Sequence, residues 1–398
     1  MDIIITPKKL SGQITAIPSK SQAHRLLICA AFSDRPTELI CPSTNQDIEA
    51  TASCLRSLGA TITRTENGYH VIPAAKIPNT AVLNCNESGS TLRFMLPVAG
   101  ALGVDTTFEL AGRLPCRPLS PLWEELERMG CKLSRPTQST IRLKGRLQPG
   151  QYTISGSVSS QFITGLLYAA ALMNGNSKIT VTGKLESKPY IDMTQQALDI
   201  FGVDTEDFVV CGSRPFRSPG KLVVEGDWSN AAFFLAAQKL GSHISVTGLS
   251  DHSAQGDRAC ANILKQLDND LIIDAADIPD LVPILAVTAG ALSGATFMNI
   301  ARLGLKESDR VATVATMLKN LGVETRTTEN EMQVFPGKYR GCTIDAAGDH
   351  RIAMAAAIAA TVADGPVTIL GAQCVTKSYP TFWEEYKKAG GSYEQYIR

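Results

Sequence analysis

Ser88-Gly89-Ser90-Thr91-Leu92-Arg93-Phe94-Met95-Leu96 puts small hydroxyl residues and a glycine directly ahead of an apolar run. Five other places set small or charged residues ahead of an apolar run, at Ser19-Lys20-Ser21-Gln22, Ser157-Val158-Ser159-Ser160, Gly226-Asp227-Trp228-Ser229, Asp277-Ile278-Pro279-Asp280 and Ala347-Gly348-Asp349-His350. Counted at Ser21, Ser90, Ser160, Ser229, Asp280 and Asp349, the steps are 69, 70, 69, 51 and 69. A second mark interleaves with the first, an apolar residue then glycine, at Leu58-Gly59, Met129-Gly130, Phe201-Gly202, Leu321-Gly322 and, degraded, Ala389-Gly390, with Asp268 in the glycine's place at Leu267-Asp268. Two independent marks on one beat make an internal repeat of roughly 70 residues, which outranks other evidence of fold.

Each unit reads as strand–helix–strand–helix–strand–strand. The Ala/Leu segments from 90, 161, 230, 281 and 351 read as buried helices, and a second helix ends at each apolar–Gly mark. Residues 70–83 and 140–154 mix β-branched and polar side chains as half-exposed strands do. Six units make two triplets, with the change-over near Arg217-Ser218-Pro219-Gly220 and a trimmed fourth unit. A chain of 398 residues suits two domains better than one core.

Ser, Asp and Gly ahead of an apolar run are helix N-caps, and a helix start offers unpaired N–H groups and partial positive charge to an anion. Caps alone can merely cap. Here Lys20 and Arg25, then Arg93, then Arg351 stand in or beside them, and Arg113 and Arg117 lie four apart in a Pro-containing loop. The set therefore points to a substrate with several negative charges. Asp277 and Asp280 flank a proline at a helix start, either as caps or as a general base. Lys306-Glu307-Ser308-Asp309-Arg310 alone reads as a surface helix start, and Lys377-Ser378-Tyr379-Pro380 alone says little.

Composition excludes several classes. With 38 basic and 38 acidic residues the chain lacks the basic excess of a nucleic-acid or membrane-surface binder. No signal peptide is expected from Met1-Asp2-Ile3-Ile4-Ile5, and no apolar run approaches a bilayer span. Ten scattered cysteines without Cys-x-x-Cys, and five histidines with no close pair, argue for a reducing cytoplasm and against a metal site.

The motifs, taken in order, carry a resemblance: Pro18-Ser19-Lys20-Ser21-x-x-x-Arg25, Ser88-Gly89-Ser90-Thr91-x-Arg93, Ser159-Ser160-Gln161, Lys188-Pro189-Tyr190-Ile191-Asp192, Glu225-Gly226-Asp227, Gln255-Gly256-Asp257, Ile278-Pro279-Asp280, Lys306-Glu307-Ser308-Asp309-Arg310, Asp349-His350-Arg351 and Lys377-Ser378-Tyr379-Pro380. Over essentially its whole length the chain resembles the 5-enolpyruvylshikimate-3-phosphate (EPSP) synthase family. The resemblance implies an α/β fold, a two-domain inside-out α/β barrel of six βαβαββ repeats, three per domain. It implies one domain at 1–18 and 226–398, an inserted domain at 19–225, and an active site in the cleft between them. The implied reaction transfers the enolpyruvyl group of phosphoenolpyruvate to the 5-hydroxyl of shikimate 3-phosphate and releases phosphate. It belongs to the shikimate pathway to chorismate and the aromatic amino acids, in the cytoplasm, with no cofactor, metal, nucleic acid or membrane, in a monomer.

Carried over residue by residue, shikimate 3-phosphate is expected at Lys20, Ser21, Arg25, Ser159, Ser160, Gln161, Ser187, Tyr190, Asp280 and Lys306. Phosphoenolpyruvate is expected at Lys20, Gly89, Arg93, Arg113, Gln161, Arg310, Arg351 and Lys377. Asp280, Glu307 and Lys20 are the expected catalytic residues. The chain departs from the family pattern at Ser19, which follows Pro18 directly, at His24 for a frequent Asn, at Glu87 for a common Asn, and at Phe94 for a common Pro. The sibling transferase acting on UDP-N-acetylglucosamine fits less well. It has Lys-Asn where this chain has Lys20-Ser21, lacks the Arg25 equivalent, and spaces its loop cysteine differently from Cys116. A repeat scaffold without chemistry would carry its polarity on an exposed face rather than at helix starts.

Overall fold

The computed structural model describes residues 1–212 and 215–396. The chain divides into an inserted unit, Pro18–Val224, and a terminal unit made of Met1–Ile17 and the chain from Glu225 onward. These crossings fall one residue before the boundaries expected above.

Among the described residues the inserted unit holds α1 (Lys20–Ala31), α2 (Gln46–Ser57), α3 (Gly89–Leu102), α4 (Leu122–Arg128), α5 (Ser160–Leu172) and α6 (Lys188–Ile200). The terminal unit holds α7 (Trp228–Lys239), α8 (Cys260–Gln266), α9 (Val282–Ala291), α10 (Arg310–Leu321), α11 (His350–Ala360) and α12 (Phe382–Lys388). The odd-numbered helices α1, α3, α5, α7, α9 and α11 start at the six repeated clusters. Side-chain caps form at Ser19, Ser88, Ser159, Asp227 and Asp349, each accepting from a backbone N–H two or three residues on. At α9 no side chain caps, Pro283 occupies the first turn, and Asp280 is left for other partners.

Each repeat builds its own sheet. Thr80–Asn86 and Asp105–Leu110 pair in parallel across α3, and Thr140–Gly145 and Cys131–Thr137 add antiparallel strands. The terminal unit repeats this order with Leu271–Asp274, Ala295–Met298, Glu331–Val334 and Thr325–Thr327. Its last sheet is completed by the N-terminal strand Asp2–Thr6, between Val367–Leu370 and Ser392–Tyr396. The stretches 70–83 and 140–154 are each two strand segments instead of one, because Pro73, Pro78 and Pro149-Gly150 interrupt the ladder.

Two strands are exchanged at the crossings. Ser11–Thr15 precedes α1 in sequence but pairs in parallel with His243–Thr247 of the terminal unit. Lys221–Val223 precedes α7 but pairs in parallel with Thr37–Ile40 of the inserted unit. The fourth repeat, whose step is 51 residues, runs from α8 directly into Leu271–Asp274 without an antiparallel pair, so its sheet has two strands.

The core of each unit lies along its three odd-numbered helices. Every residue of α11 is buried, and α3 packs closely on α5. Gly165 makes that approach possible, because a Cβ there would collide with the carbonyl of Arg93. Burying whole helices brings their polar first turns to one end of each core, and that is where the charged side chains collect.

Candidate active site

In the inserted unit, α1 supplies two cations. Lys20 Nζ lies 2.8 Å from the Asp47 carboxylate at the start of α2. Arg25 is buried, and its guanidinium donates to Thr194 Oγ1 at 2.9 Å, to the Ser21 carbonyl at 2.7 Å and to the Tyr190 carbonyl at 2.6 Å. Its planar group also lies over the Phe94 ring, 5.4 Å from the centroid. Neutral oxygens and a ring surround it, so its charge is held in place without a carboxylate among its described contacts. The structure thus brings Lys20, Ser21, Arg25 and Tyr190 into one neighbourhood. Ser187 stands at the N-cap position of α6 in a left-handed backbone conformation, φ +57°, with no side-chain cap hydrogen bond, and is buried.

A second neighbourhood forms at the start of α3. Gln161 accepts from Arg93 Nη1 at 2.9 Å and donates to Ser90 Oγ at 2.9 Å, tying α5 to α3 one turn in. Arg93 Nη2 donates to the Pro118 carbonyl at 3.0 Å, which fixes the loop around 113–118 against the helix. A Cβ on Gly89 would lie 2.7 Å from Arg117 Nη1 and 2.8 Å from Arg93 Nη1. Two guanidinium groups therefore flank the first residue of a fourteen-residue helix, where backbone N–H groups and the helix dipole already favour an anion. Arg117 was not among the expected ligands. Arg113, which was, is exposed four residues earlier, where Gly112 sits against the Glu87 carboxylate. The only signal for Arg117 was its place in the same two-arginine loop. Ser159 caps α5 and Ser160 is buried in its first turn, beside Gln161.

In the terminal unit the expected residues converge on one carboxylate. Asp280 Oδ1 accepts from Arg310 Nη1 at 2.6 Å and from Lys306 Nζ at 3.4 Å, and Oδ2 accepts from Arg351 Nη2 at 3.0 Å. Arg310, 1 % exposed, also donates to Glu307 Oε2 at 2.7 Å and Asp349 Oδ2 at 2.8 Å. Asp349 meanwhile caps α11, so one buried carboxylate orders both the helix and the arginine. Lys377 Nζ donates to the Gly348 carbonyl at 3.0 Å, beside the same cap. Glu307 precedes α10 by three residues, which lets Arg310 reach back to it.

Burial works against each of these charges, and neighbours decide the outcome. It pushes the Asp280 carboxyl up, but Arg351, Lys306 and Arg310 outweigh it and hold the group well below the usual range. Burial likewise opposes ionisation of Asp349, and Arg310 again prevails. Lys306 is brought down to about 8 by burial, with Asp280 opposing. Asp257, which hydrogen-bonds the Ser229 hydroxyl, goes the other way: burial and then Asp280 raise it to about 7. Among the described residues no group of three His, Cys, Asp or Glu side chains could hold a metal ion, and no helix is long and apolar enough to cross a membrane.

The family model described as EPSP synthase (3-phosphoshikimate 1-carboxyvinyltransferase) matches residues 4–386. This chain belongs to the EPSP synthase family. A relative from Clostridium kluyveri, named 3-phosphoshikimate 1-carboxyvinyltransferase, is 37 % identical, with 99 % of this chain and 98 % of the relative covered. A Clostridium botulinum protein of the same name is 36 % identical over 98 % of each chain. The solved EPSP synthase of Acinetobacter baumannii superposes with a TM-score of 0.80 at 24 % identity, covering 99 % of this chain and 100 % of that one. The enolpyruvyl transferase NikO of Streptomyces tendae gives 0.76 at 16 % identity, over 99 % of this chain and 98 % of NikO. At those identities the likeness concerns the fold, which is the enolpyruvyl-transferase architecture expected for a member of this family.

Proposed function

We propose that the chain transfers the enolpyruvyl group of phosphoenolpyruvate to the 5-hydroxyl of shikimate 3-phosphate and releases inorganic phosphate, the step that precedes chorismate in aromatic amino-acid biosynthesis. The observation that carries this reading is the Asp280 carboxylate gripped by Arg310, Arg351 and Lys306 in a family member. A carboxylate so held stays ionised, so it can accept the hydrogen bond of the attacking hydroxyl and take its proton as the attack makes that proton acidic, while the cations around it are fixed in place beforehand.

The hydroxyl gives its proton to one carboxylate as its oxygen attacks C2 of phosphoenolpyruvate, and C3 takes a proton from the second, protonated, acid group, giving a tetrahedral intermediate. Its C–O bond to phosphate then breaks as C3 returns a proton. Asp280 and Glu307 share the proton transfers. Lys20, Arg310, Arg351 and Lys377 neutralise charge that builds on the phosphate and carboxylate, and such preorganised cations supply the larger part of the rate. At the start of α3, Gly89, Arg93 and Arg117 form the cradle for phosphoenolpyruvate, with Gln161 fixing Arg93; Arg113 borders it. Arg25, Ser21, Tyr190, Ser159, Ser160 and Ser187 hold shikimate 3-phosphate from the inserted unit, and Lys306 and Asp280 from the terminal unit. Both sets act on the same pair of substrates.

A coupled assay of phosphate release tests this reading. With phosphoenolpyruvate present, shikimate 3-phosphate should support turnover and UDP-N-acetylglucosamine should not. Turnover with the nucleotide sugar alone would assign the chain to the sibling reaction.

A further inference from the structure

His24 is buried between the two cations of α1, yet its ring makes a single hydrogen bond. Nδ1 lies 2.7 Å from Thr51 Oγ1 on α2, while Nε2 is buried without a partner. Burial first, then Lys20 and Arg25, hold the imidazole well below its ordinary value, so it is neutral. A neutral ring carries one proton. Orphaned buried N–H groups are rarer in proteins than orphaned acceptors, so the proton belongs on Nδ1 and the lone pair on Nε2.

That choice sets a direction. Nδ1–H donates to Thr51, the Thr51 hydroxyl donates to Thr91 Oγ1 at 2.7 Å, and the Thr91 hydroxyl donates to Ser88 Oγ at 2.7 Å. The other acceptor in reach of Thr91, the Asp47 carbonyl, is farther at 3.4 Å. Ser88 Oγ also accepts the Thr91 backbone N–H at 3.2 Å, as the cap of α3. Both its lone pairs are then used within the first turn of α3, the turn whose Gly89 is flanked by Arg93 and Arg117. Every member of the chain is buried, so water does not supply alternatives.

We propose that His24 is a positioning residue for the anion site at the start of α3, acting through Thr51, Thr91 and Ser88 to hold the cap and first turn of that helix, and so the backbone N–H groups beside Gly89, in the geometry that meets phosphoenolpyruvate. The inference rests on the function proposed above. It links α1, which carries Lys20 and Arg25, to the cradle on α3 by side chains that touch no substrate themselves.

Steady-state kinetics of Thr51→Val and His24→Leu, singly and together, test the relay, with Thr51→Ser as the variant that restores the hydroxyl. Losing one hydrogen bond of this kind should raise KM for phosphoenolpyruvate roughly 3–10-fold. KM for shikimate 3-phosphate should stay within about twofold, and the double variant should be no worse than the poorer single one. Thr51→Ser should behave as the wild type. Nitrogen-15 spectra of the wild type should show His24 protonated at Nδ1. Unchanged KM for phosphoenolpyruvate in Thr51→Val, equal losses for both substrates, additive losses in the double variant, or a proton on Nε2 would each overturn the relay. A wild type that releases no phosphate from the two substrates would instead remove the functional reading beneath it.

Discussion

Lys306 shows how one residue's surroundings become a measurable property. Burial lowers it to about 8 despite the attraction of Asp280. Its ammonium is therefore lost as the pH rises through 8, where an ordinary lysine keeps its charge. If Lys306 meets shikimate 3-phosphate, KM for that substrate should climb above pH 8 in the wild type. Lys306→Arg, charged throughout, should give a flatter profile even if its absolute KM is higher. A profile of identical shape in both proteins would remove Lys306 from the binding role. The same scale shows what the letters alone could convey. Lys20, Arg25 and Arg351 were legible because each sits in the first two turns of a helix whose apolar face fixes where it points. Arg310 came only from the resemblance, since Lys306–Arg310 alone reads as a surface helix start, whereas three carboxylates draw Arg310 into the interior at 1 % exposure. Arg117 was not, because two arginines in an irregular loop are equivalent until Arg93 binds the Pro118 carbonyl and fixes the path. Thr51 was invisible too, since its partner His24 is 27 residues away and on another helix.

Helix starts are the elements that convert sequence into chemistry here, and two aspartates at such starts behave oppositely. Asp349 caps α11 and pairs with buried Arg310, which holds its carboxyl below the usual range. The folded group keeps its charge to lower pH than the unfolded one. Its stabilisation is thus full above the ordinary value of 3.8 and is lost as the pH falls below it. Asp257, at the short turn leading into α8, is raised to about 7. It binds its proton more tightly when folded, so its effect on stability declines from pH 4 to 7. In urea denaturation at pH 7.5, Asp349→Ala should cost roughly 3–5 kcal/mol, the range for stranding a buried partner. Asp257→Asn should stabilise by roughly 2–4 kcal/mol and flatten the loss of stability between pH 4 and 7. Effects of the same sign would contradict this account of the two sites. The repeat marks gave the helices and their order, since caps and apolar runs are local signals. The exchange of Ser11–Thr15 and Lys221–Val223 is set by pairing with segments more than 180 residues away, and no local pattern reports it.

At the scale of the molecule, each unit carries cations at its helix starts, and neither set alone matches two substrates that together bear two phosphates and two carboxylates. The inserted unit offers Lys20, Arg25, Arg93 and Arg117; the terminal unit offers Lys306, Arg310, Arg351 and Lys377 around the Asp280 and Glu307 carboxylates. The central claim is that both sets serve one reaction. Its most direct test is phosphate release from phosphoenolpyruvate and shikimate 3-phosphate by wild type, Arg25→Ala and Asp280→Ala, each checked for folding by its urea transition. Both variants should fold and both should lose at least about 10²-fold in kcat/KM, since the proposed role of Arg25 is a binding charge and that of Asp280 a proton transfer. Near-wild-type turnover in either folded variant would mean that its unit does not contribute to the chemistry, and would contradict the claim.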